Sequence, residues 1–378
     1  MRAQRDRSFA QVCDFLDLAH PVAHTALAAM NQQKWDLIKR CARLEQVANP
    51  PVALIIDSPW IPGYLGISTL DYLTVPEVWL RANLQVEAQF PEVLFLPGFW
   101  IEMGMAAEPS GFGCKVSLFP DKTPVVHPLI SGIEELDRVS LPNPQTDGLM
   151  PVILNYYRRL EPAVNDAGHV IKVVAARGPL TVATHLMGVT NFLLGLKLHP
   201  AETHRLLKIT TTLVKNWLAA QAAALQAVEG IMVLDDIAGF MSPKNYLEFA
   251  HPYLKEVFDA FPQAVRIFHN DTDNPVSYKY LRELGVQIFN FTHRQPIAKV
   301  RELAGPEVCL MGNVPPLEVL AQGSPAQVAE TARQCLESHP GRQGLILSAG
   351  GGASPGTPGD NIRAMVEAAR GFYPKTCN

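Results

Sequence analysis

The sequence predicts a closed (β/α)8 TIM barrel on three observations. Eight short apolar runs recur along the 378 residues, helical patterns fill the gaps between the later runs, and each run is apolar at successive positions rather than alternating. Strands buried on both faces belong to a parallel sheet, and eight βα units close such a sheet into a barrel. A doubly wound open sheet is the alternative, but it typically has about five or six strands and an early Gly-rich phosphate turn. No such turn is present.

In order along the chain, residues 8–47 have helical periodicity, with HTALAAM followed by QQKWDLIKRCARLEQV, and predict two helices ahead of the first strand. They suggest an N-terminal helical extension over residues 1–50, acting as a cap or an oligomer contact, before a barrel over residues 51–378. The predicted strands are 51–57, 93–99, 170–176, 230–236, 264–269, 286–291, 308–313 and 344–349. Residues 101–150 read as an excursion between the second and third strands, a small hairpin and then a Pro-rich connection. Such an insertion roofs a barrel mouth or simply decorates the surface. Helices are expected at 201–228, 243–260, 275–284, 296–304, 325–338 and 358–370. Ser242-Pro243 supplies an N-cap and a first-turn proline to the second of these.

Composition narrows the function. Hydrophobic residues make up 48% of the chain and charged residues 18%, enough apolar material for a large core. With 32 basic and 36 acidic residues, a net charge of -4 and no Lys/Arg-rich run, the electrostatic footprint of a nucleic-acid binder is missing. The six cysteines form no C-x-x-C, the N-terminal residues lack an apolar signal region, and no apolar run approaches the roughly 18 residues of a membrane helix. Reduced thiols, a cytoplasmic location and no membrane span are expected.

In a barrel of this kind, chemistry sits at the C-terminal ends of the strands. Those ends carry Asp57, Trp100 after Pro97-Gly98-Phe99, Arg177, Asp235 and Asp236, His269 and Asp271, Asn290 and His293, Asn313, and glycines 350–352. The stretch AVRIFHNDTD at 264–273 stands out. His269 and Asp271 are two apart on an extended segment, so they share a face and can share a metal ion or a reacting proton. Alternatively Asp271 caps the helix starting near Asn274-Pro275. Of Asp235 and Asp236, one must point into the mouth and the other toward the helices. His185 lies in a loop-to-helix element, GPLTVATHLMG, and either faces the cavity or is a buried structural histidine. The Gly-rich turn near Gly351 lets the backbone approach an anion, or is simply a tight turn. No G-x-S-x-G or H-E-x-x-H is present, so those reaction classes lose support.

The segments GPLTVATHLMG, VLDDIAGFMSPKNYLEFAHPYLKEV, IFHNDTD, LMGNVPPLEVL and SAGGGASPGTPGDNIRAMVEAAR, in this order, resemble the uroporphyrinogen decarboxylase superfamily. That superfamily also contains corrinoid-linked methyltransferases. The resemblance covers roughly residues 32–371 and implies a (β/α)8 barrel. The decarboxylases it resembles carry an Arg-rich signature after the first strand, an aspartate after the second, and a tyrosine where this chain has His185. This chain has DSPWIPGYLG and LFLPGFW at the first two places. The methyltransferase branch therefore fits better. That branch resembles this chain in a zinc motif, His-x-Cys plus a later Cys, whose positions fall here on His269, Asp271 and Gly351. His269 and Asp271, with Asp236 or Glu102, are then the expected ligands of a harder metal site, zinc or another divalent ion.

The resemblance implies methyl transfer between a small O- or N-methylated substrate, such as a methoxylated aromatic, and the cobalt of a separate corrinoid (cobalamin) protein. His269, Asp271, Asp236 and His185 are the candidate catalytic groups. Asp57, Trp60, Trp100, Arg177, Asn290, Asn313 and Gly351 are the candidate substrate-binding residues. The alternatives are a lyase or decarboxylase of a small acid, with Arg177 as carboxylate anchor, and a tetrapyrrole-binding protein without chemistry. The resemblance also suggests a homodimer.

Overall fold

The computed structural model describes residues 21–56, 60–341 and 343–372. Eight parallel strands wind into a nearly closed barrel: β1 (Val52–Ile55), β2 (Val93–Leu96), β3 (Val173–Arg177), β4 (Gly230–Leu234), β5 (Val265–Asn270), β6 (Ile288–Phe291), β7 (Cys309–Val314) and β8 (Leu345–Ala349). The ladder runs β2-β1-β8-β7-β6-β5-β4-β3. Among the described residues no backbone ladder joins β2 to β3, so a seam runs down the wall between them. The (β/α)8 expectation holds, and the predicted strand positions agree to within a few residues.

Parity along each strand separates two cores. Leu54, Val174, Val233, Phe268, Phe289, Leu310 and Leu347 point outward and pack under the surrounding helices. Ala53, Leu94, Ala175, Met232, Ile267, Ile288, Cys309 and Ile346 point inward and fill the lumen in layers.

The helix over Pro21–Ala42, α1, closes the floor of the barrel. Its Trp35, Ile38 and Cys41 are buried against the inward layer. The Trp35 indole N–H donates to Glu229 Oε2 (2.9 Å), and Lys39 and Lys172 also reach Glu229. Asn31 Nδ2 donates to the Gly168 carbonyl at 2.8 Å on this same side of the seam, while Lys34 pairs with Glu87 at 3.0 Å on the other. This helix is thus an integral part of the barrel rather than an extension standing apart from it. Residues 8–20 of the expected helical region lie outside the described residues.

Local differences from expectation have local causes. The helix expected at 243–260 breaks at Ala250 into Pro243–Phe249 and His251–Asp259, because Pro252 lacks the N–H an unbroken helix would require. The segment expected as a helix at 275–284 is a 3-10 turn, Pro275–Tyr280. The β1–β2 connection carries three helices, Trp60–Leu65, Thr69–Thr74 and Pro76–Gln89, that periodicity had not delineated. The 101–150 excursion contains a two-stranded antiparallel ribbon, Val116–Ser117 with Val125–Val126. Among the described residues no single helix is long and apolar enough to cross a membrane. Cys114 is a core thiol, pushed up to about 11 by burial, and so is no nucleophile at neutral pH.

Candidate active site

The inward positions turn polar at the C-terminal end of the barrel. In the register that pairs Arg177 with Leu234, Leu234 with His269, and His269 with Asn290, the lumen layer gains an arginine, an imidazole and an amide. Just beyond the strand ends, Asp236 and Asp271 complete a cluster with His269. One ligand atom from each of these three lies within 4.8 Å of the others. His269 Nε2 stands 3.7 Å from Asp236 Oδ1, and the Asp271 backbone N–H donates to the same oxygen at 3.1 Å.

Asn290 fixes how His269 presents itself. The Asn290 Nδ2 group donates to the carbonyls of Met311 (2.9 Å) and Ala349 (3.1 Å), so its Oδ1 faces His269 Nδ1 at 2.7 Å. A carbonyl oxygen only accepts, so Nδ1 carries a hydrogen and Nε2 is the ring nitrogen turned toward the two carboxylates. This is the arrangement by which outer groups orient a metal-ligating histidine. Asn290 is fully buried, so it positions His269 and is not the substrate-binding residue that its strand-end location suggested.

The turn after β5 is also built for Asp271. Asn270, facing away from the lumen, donates to the Asp235 carbonyl (2.9 Å) and accepts from the Thr272 N–H (3.1 Å), which folds the chain back over the mouth. Asn274, not Asp271, caps the following turn by accepting from the Val276 N–H at 3.2 Å. Asp271 is thereby released from the capping alternative. Burial and the neighbouring Asp236 raise its carboxyl pKa, while His269 and His293 oppose that shift. The question over Asp235 and Asp236 is resolved by parity. Asp235 is buried outside the lumen, where it accepts from the Leu180 N–H and the Thr181 hydroxyl, both at 2.9 Å, at the start of the helix Pro179–Met187; burial pushes its pKa up to about 7.

The donor set suits a divalent ion of hard or borderline character. One imidazole and two carboxylates within reach of a common centre match such ions, and the soft thiolates of a Cys-rich site are absent from the cluster.

Gly351 contributes by what it lacks. Its φ is +129°, and a Cβ there would lie 2.6 Å from Asp271 Oδ2, so the glycine turn makes room for the carboxylate and is not a substrate contact. A Cβ at Gly350 would lie 2.3 Å from the His293 backbone nitrogen. The glycines thus allow close packing of the chain on itself rather than forming an anion cradle. Gly351→Ala is expected to cost about 1–3 kcal/mol in backbone strain and to weaken metal binding about 10-fold or more by displacing Asp271. Denaturant unfolding together with a metal titration checks both, and wild-type affinity in a folded variant would contradict this role.

The other candidates divide. Arg177 and Trp100 do face the mouth, with the guanidinium carbon 5.2 Å from the Trp100 ring centroid. Arg177 Nη2 also pairs with Glu102 Oε2 at 3.3 Å, so Glu102 is the arginine's partner and not a ligand of the cluster. His185 stands within electrostatic reach of Arg177. Burial and that positive charge bring its pKa down to about 4, so it is neutral at pH 7 and cannot serve as a general acid there. Trp60 is fully buried outside the lumen, stacked on Tyr64, with its indole N–H donating to the Thr357 carbonyl at 3.0 Å. It belongs to the packing of the β1–β2 helices and lines no substrate pocket. Asn313 is also structural: it donates to the carbonyls of Thr292 (3.1 Å) and Gln295 (2.8 Å), holding the loop after β6. Asp57 lies outside the described residues. Sequence reasoning missed the positioning role of Asn290 and the pairing of Arg177 with Glu102; both depend on register and loop path, which single-strand patterns do not contain.

Comparison with known proteins agrees with this fold. The family model described as "Uroporphyrinogen decarboxylase (URO-D)" matches residues 34–372. A uroporphyrinogen decarboxylase of Thermus thermophilus is 26% identical over 351 residues, covering 88% of this chain and 96% of that protein. A methylated-thiol–coenzyme M methyltransferase of Methanosarcina mazei is 26% identical over 272 residues, covering 71% of each. Among solved structures, a methyltransferase from Methanosarcina mazei superimposes with a TM-score of 0.74 at 22% identity, covering 89% of this chain and 98% of that one. The match spans most of the barrel and begins within α1, and the chain belongs to the uroporphyrinogen decarboxylase (URO-D) family.

Proposed function

We propose that this chain is a methyltransferase that moves a methyl group between a small O- or N-methylated substrate and the cobalt of a corrinoid carried by a partner protein. The observation behind this reading is His269 Nε2, aimed by Asn290 at Asp236 and Asp271 in the barrel mouth. The corrinoid would supply the nucleophile that receives the methyl carbon. As the carbon–oxygen or carbon–nitrogen bond breaks, its electron pair stays on the heteroatom, which must be stabilised by a positive charge or a proton.

His269, Asp236 and Asp271 are suited to hold a divalent ion, zinc or a harder metal, which when bound supplies Lewis-acid stabilisation of the departing heteroatom. The chain's own part is orientation: Asn290 holds the ring by Nδ1 so that Nε2 is the nitrogen facing the carboxylates, and Gly351 lets Asp271 approach. With hard ligands in place of thiolates, an oxygen or nitrogen donor suits the site better than a thiol. Exposed apolar side chains on three loops at this end, Met105, Phe240 and Leu317, support docking of a corrinoid protein over the mouth. The lyase reading is weakened because its carboxylate anchor, Arg177, is already paired with Glu102.

The test is to mix the purified protein, after metal analysis, with cob(I)alamin and a panel of methoxyaromatics and methylated amines, and to follow methylcobalamin by its absorbance. Stoichiometric divalent metal and product from at least one donor are expected. A metal-free protein that is inactive across the panel would rule the proposal out in favour of a carrier or lyase.

A further inference from the structure

Arg177 is an inward-facing cation at the end of β3, two strands from His269, and thus roughly 10 Å away across the wall of the lumen. An arginine in such a mouth is a ready-made fork for a substrate carboxylate. Here that fork is already engaged. Glu102 approaches Nη2 at 3.3 Å, with its side chain 2% exposed and that of Arg177 9% exposed. The Trp100 ring covers the guanidinium, and Glu108 accepts from the Arg177 backbone N–H at 2.8 Å, adding a second carboxyl group next to the cation. The crevice between Trp100, Glu102, Glu108 and Arg177 holds only about 10 Å³, room for at most a single water.

The loop carrying Glu102 is shaped for this. Phe99 and Met103, on either side of Trp100 and Glu102, have φ of 48° and 44°, and Gly98 and Gly104 have φ of 75° and 62°. Non-glycine residues in that region cost of order 1 kcal/mol or more each and persist only where the surroundings hold them. This loop is buried from Phe99 to Gly104, so its surroundings hold both of them in place. The strain buys an inward-turned carboxylate opposite the arginine.

We infer that Glu102 is a specificity-determining residue: by occupying Arg177 from within the mouth, it excludes carboxylate-bearing donors and leaves the site to uncharged or cationic ones. With Glu102 seated against Arg177 and Glu108 beside it, a substrate carboxylate finds the arginine fork taken and meets like charge there, whereas a neutral ring or an ammonium meets no such barrier. The inference rests on the reading of the mouth as the site of a small methylated donor, but binding alone can test it, without any methyl transfer.

The experiment uses calorimetric titration of the metal-loaded full chain with 3-methoxyphenol, 3-methoxybenzoate and 3-methoxybenzylamine. The wild type is expected to bind the phenol and the amine and to bind the benzoate at least about 10-fold more weakly. Glu102→Ala releases Arg177 and vacates the volume of a carboxylate beside it, so benzoate affinity should rise about 10- to 100-fold with little change for the phenol. Adding Arg177→Gln to that variant should erase the gain. Because Glu102→Ala leaves a buried cation without its partner and costs stability, Arg177→Gln alone provides a second reading: with Glu102 unopposed, the amine should bind more tightly and the benzoate more weakly than in the wild type. Equal affinity of the wild type for benzoate and phenol, a benzoate affinity unmoved by Glu102→Ala, or failure of all three ligands to bind would each overturn the inference. Selective binding without methylcobalamin formation in the assay above would instead sink the transfer reaction and leave the charge filter standing.

Discussion

His269→Ala is expected to abolish stoichiometric metal binding and to lower methyl transfer to cob(I)alamin by about 10²- to 10⁴-fold. The imidazole is the one nitrogen donor of the cluster, and its loss leaves two carboxylates that repel each other once both are ionised. The substitution also strands Asn290 Oδ1, a buried acceptor, at a cost of about 1–3 kcal/mol in stability. Metal analysis and the cobalamin assay read the first effect and denaturant unfolding the second, so loss of function can be separated from loss of fold. Added imidazole should restore part of the metal binding. A folded variant that kept both its metal and its activity would place the chemistry elsewhere in the barrel.

The second large effect is expected at a residue that never reaches substrate. Asn290→Leu removes the acceptor for His269 Nδ1–H and the donors to the Met311 and Ala349 carbonyls. Each buried group left unsatisfied costs about 1–3 kcal/mol, so the barrel should lose several kcal/mol. Metal affinity should fall about 10- to 100-fold, the usual consequence of deleting the group that orients a ligating histidine. Asn290→Asp separates the two roles: it retains an acceptor for Nδ1–H while losing the donors, so stability should drop with metal affinity better preserved. If the leucine variant binds metal as the wild type does, the tautomer argument fails.

Much of the fold was legible because both-face burial leaves a plain mark: continuous apolar runs such as GIMVL and VCLM need no register to be recognised as strands. The cluster was partly legible for the same reason, since parity puts His269 and Asp271 on one face and forces Asp235 and Asp236 apart. What the sequence could not reveal depends on chain path. Trp60 looked like a pocket aromatic, but the helix Trp60–Leu65 turns it outward to bond the Thr357 carbonyl. Asn313 and Asn290 look alike as amides at strand ends, yet one clamps a loop and the other aims a histidine. Only the positions of neighbouring strands separate them. Likewise, Arg177 and Glu102 lie 75 residues apart, and nothing local in either segment announces their pairing.

The seam between β2 and β3 has a consequence in time as well as in space. Where neighbouring strands elsewhere hold each other by ladders, these two edges are bridged by α1, which reaches Glu87 beneath one and Gly168 beneath the other. Its partners follow it by 53 to 194 residues along the chain. During synthesis α1 therefore emerges long before anything it fastens, and must wait, its Trp35 unburied, until the chain beyond Glu229 has been made. Contacts of such long separation form slowly, because a large loop must be closed before any of them is gained. The helix that closes the barrel floor thus depends on segments made much later, through Glu229, for every contact named here.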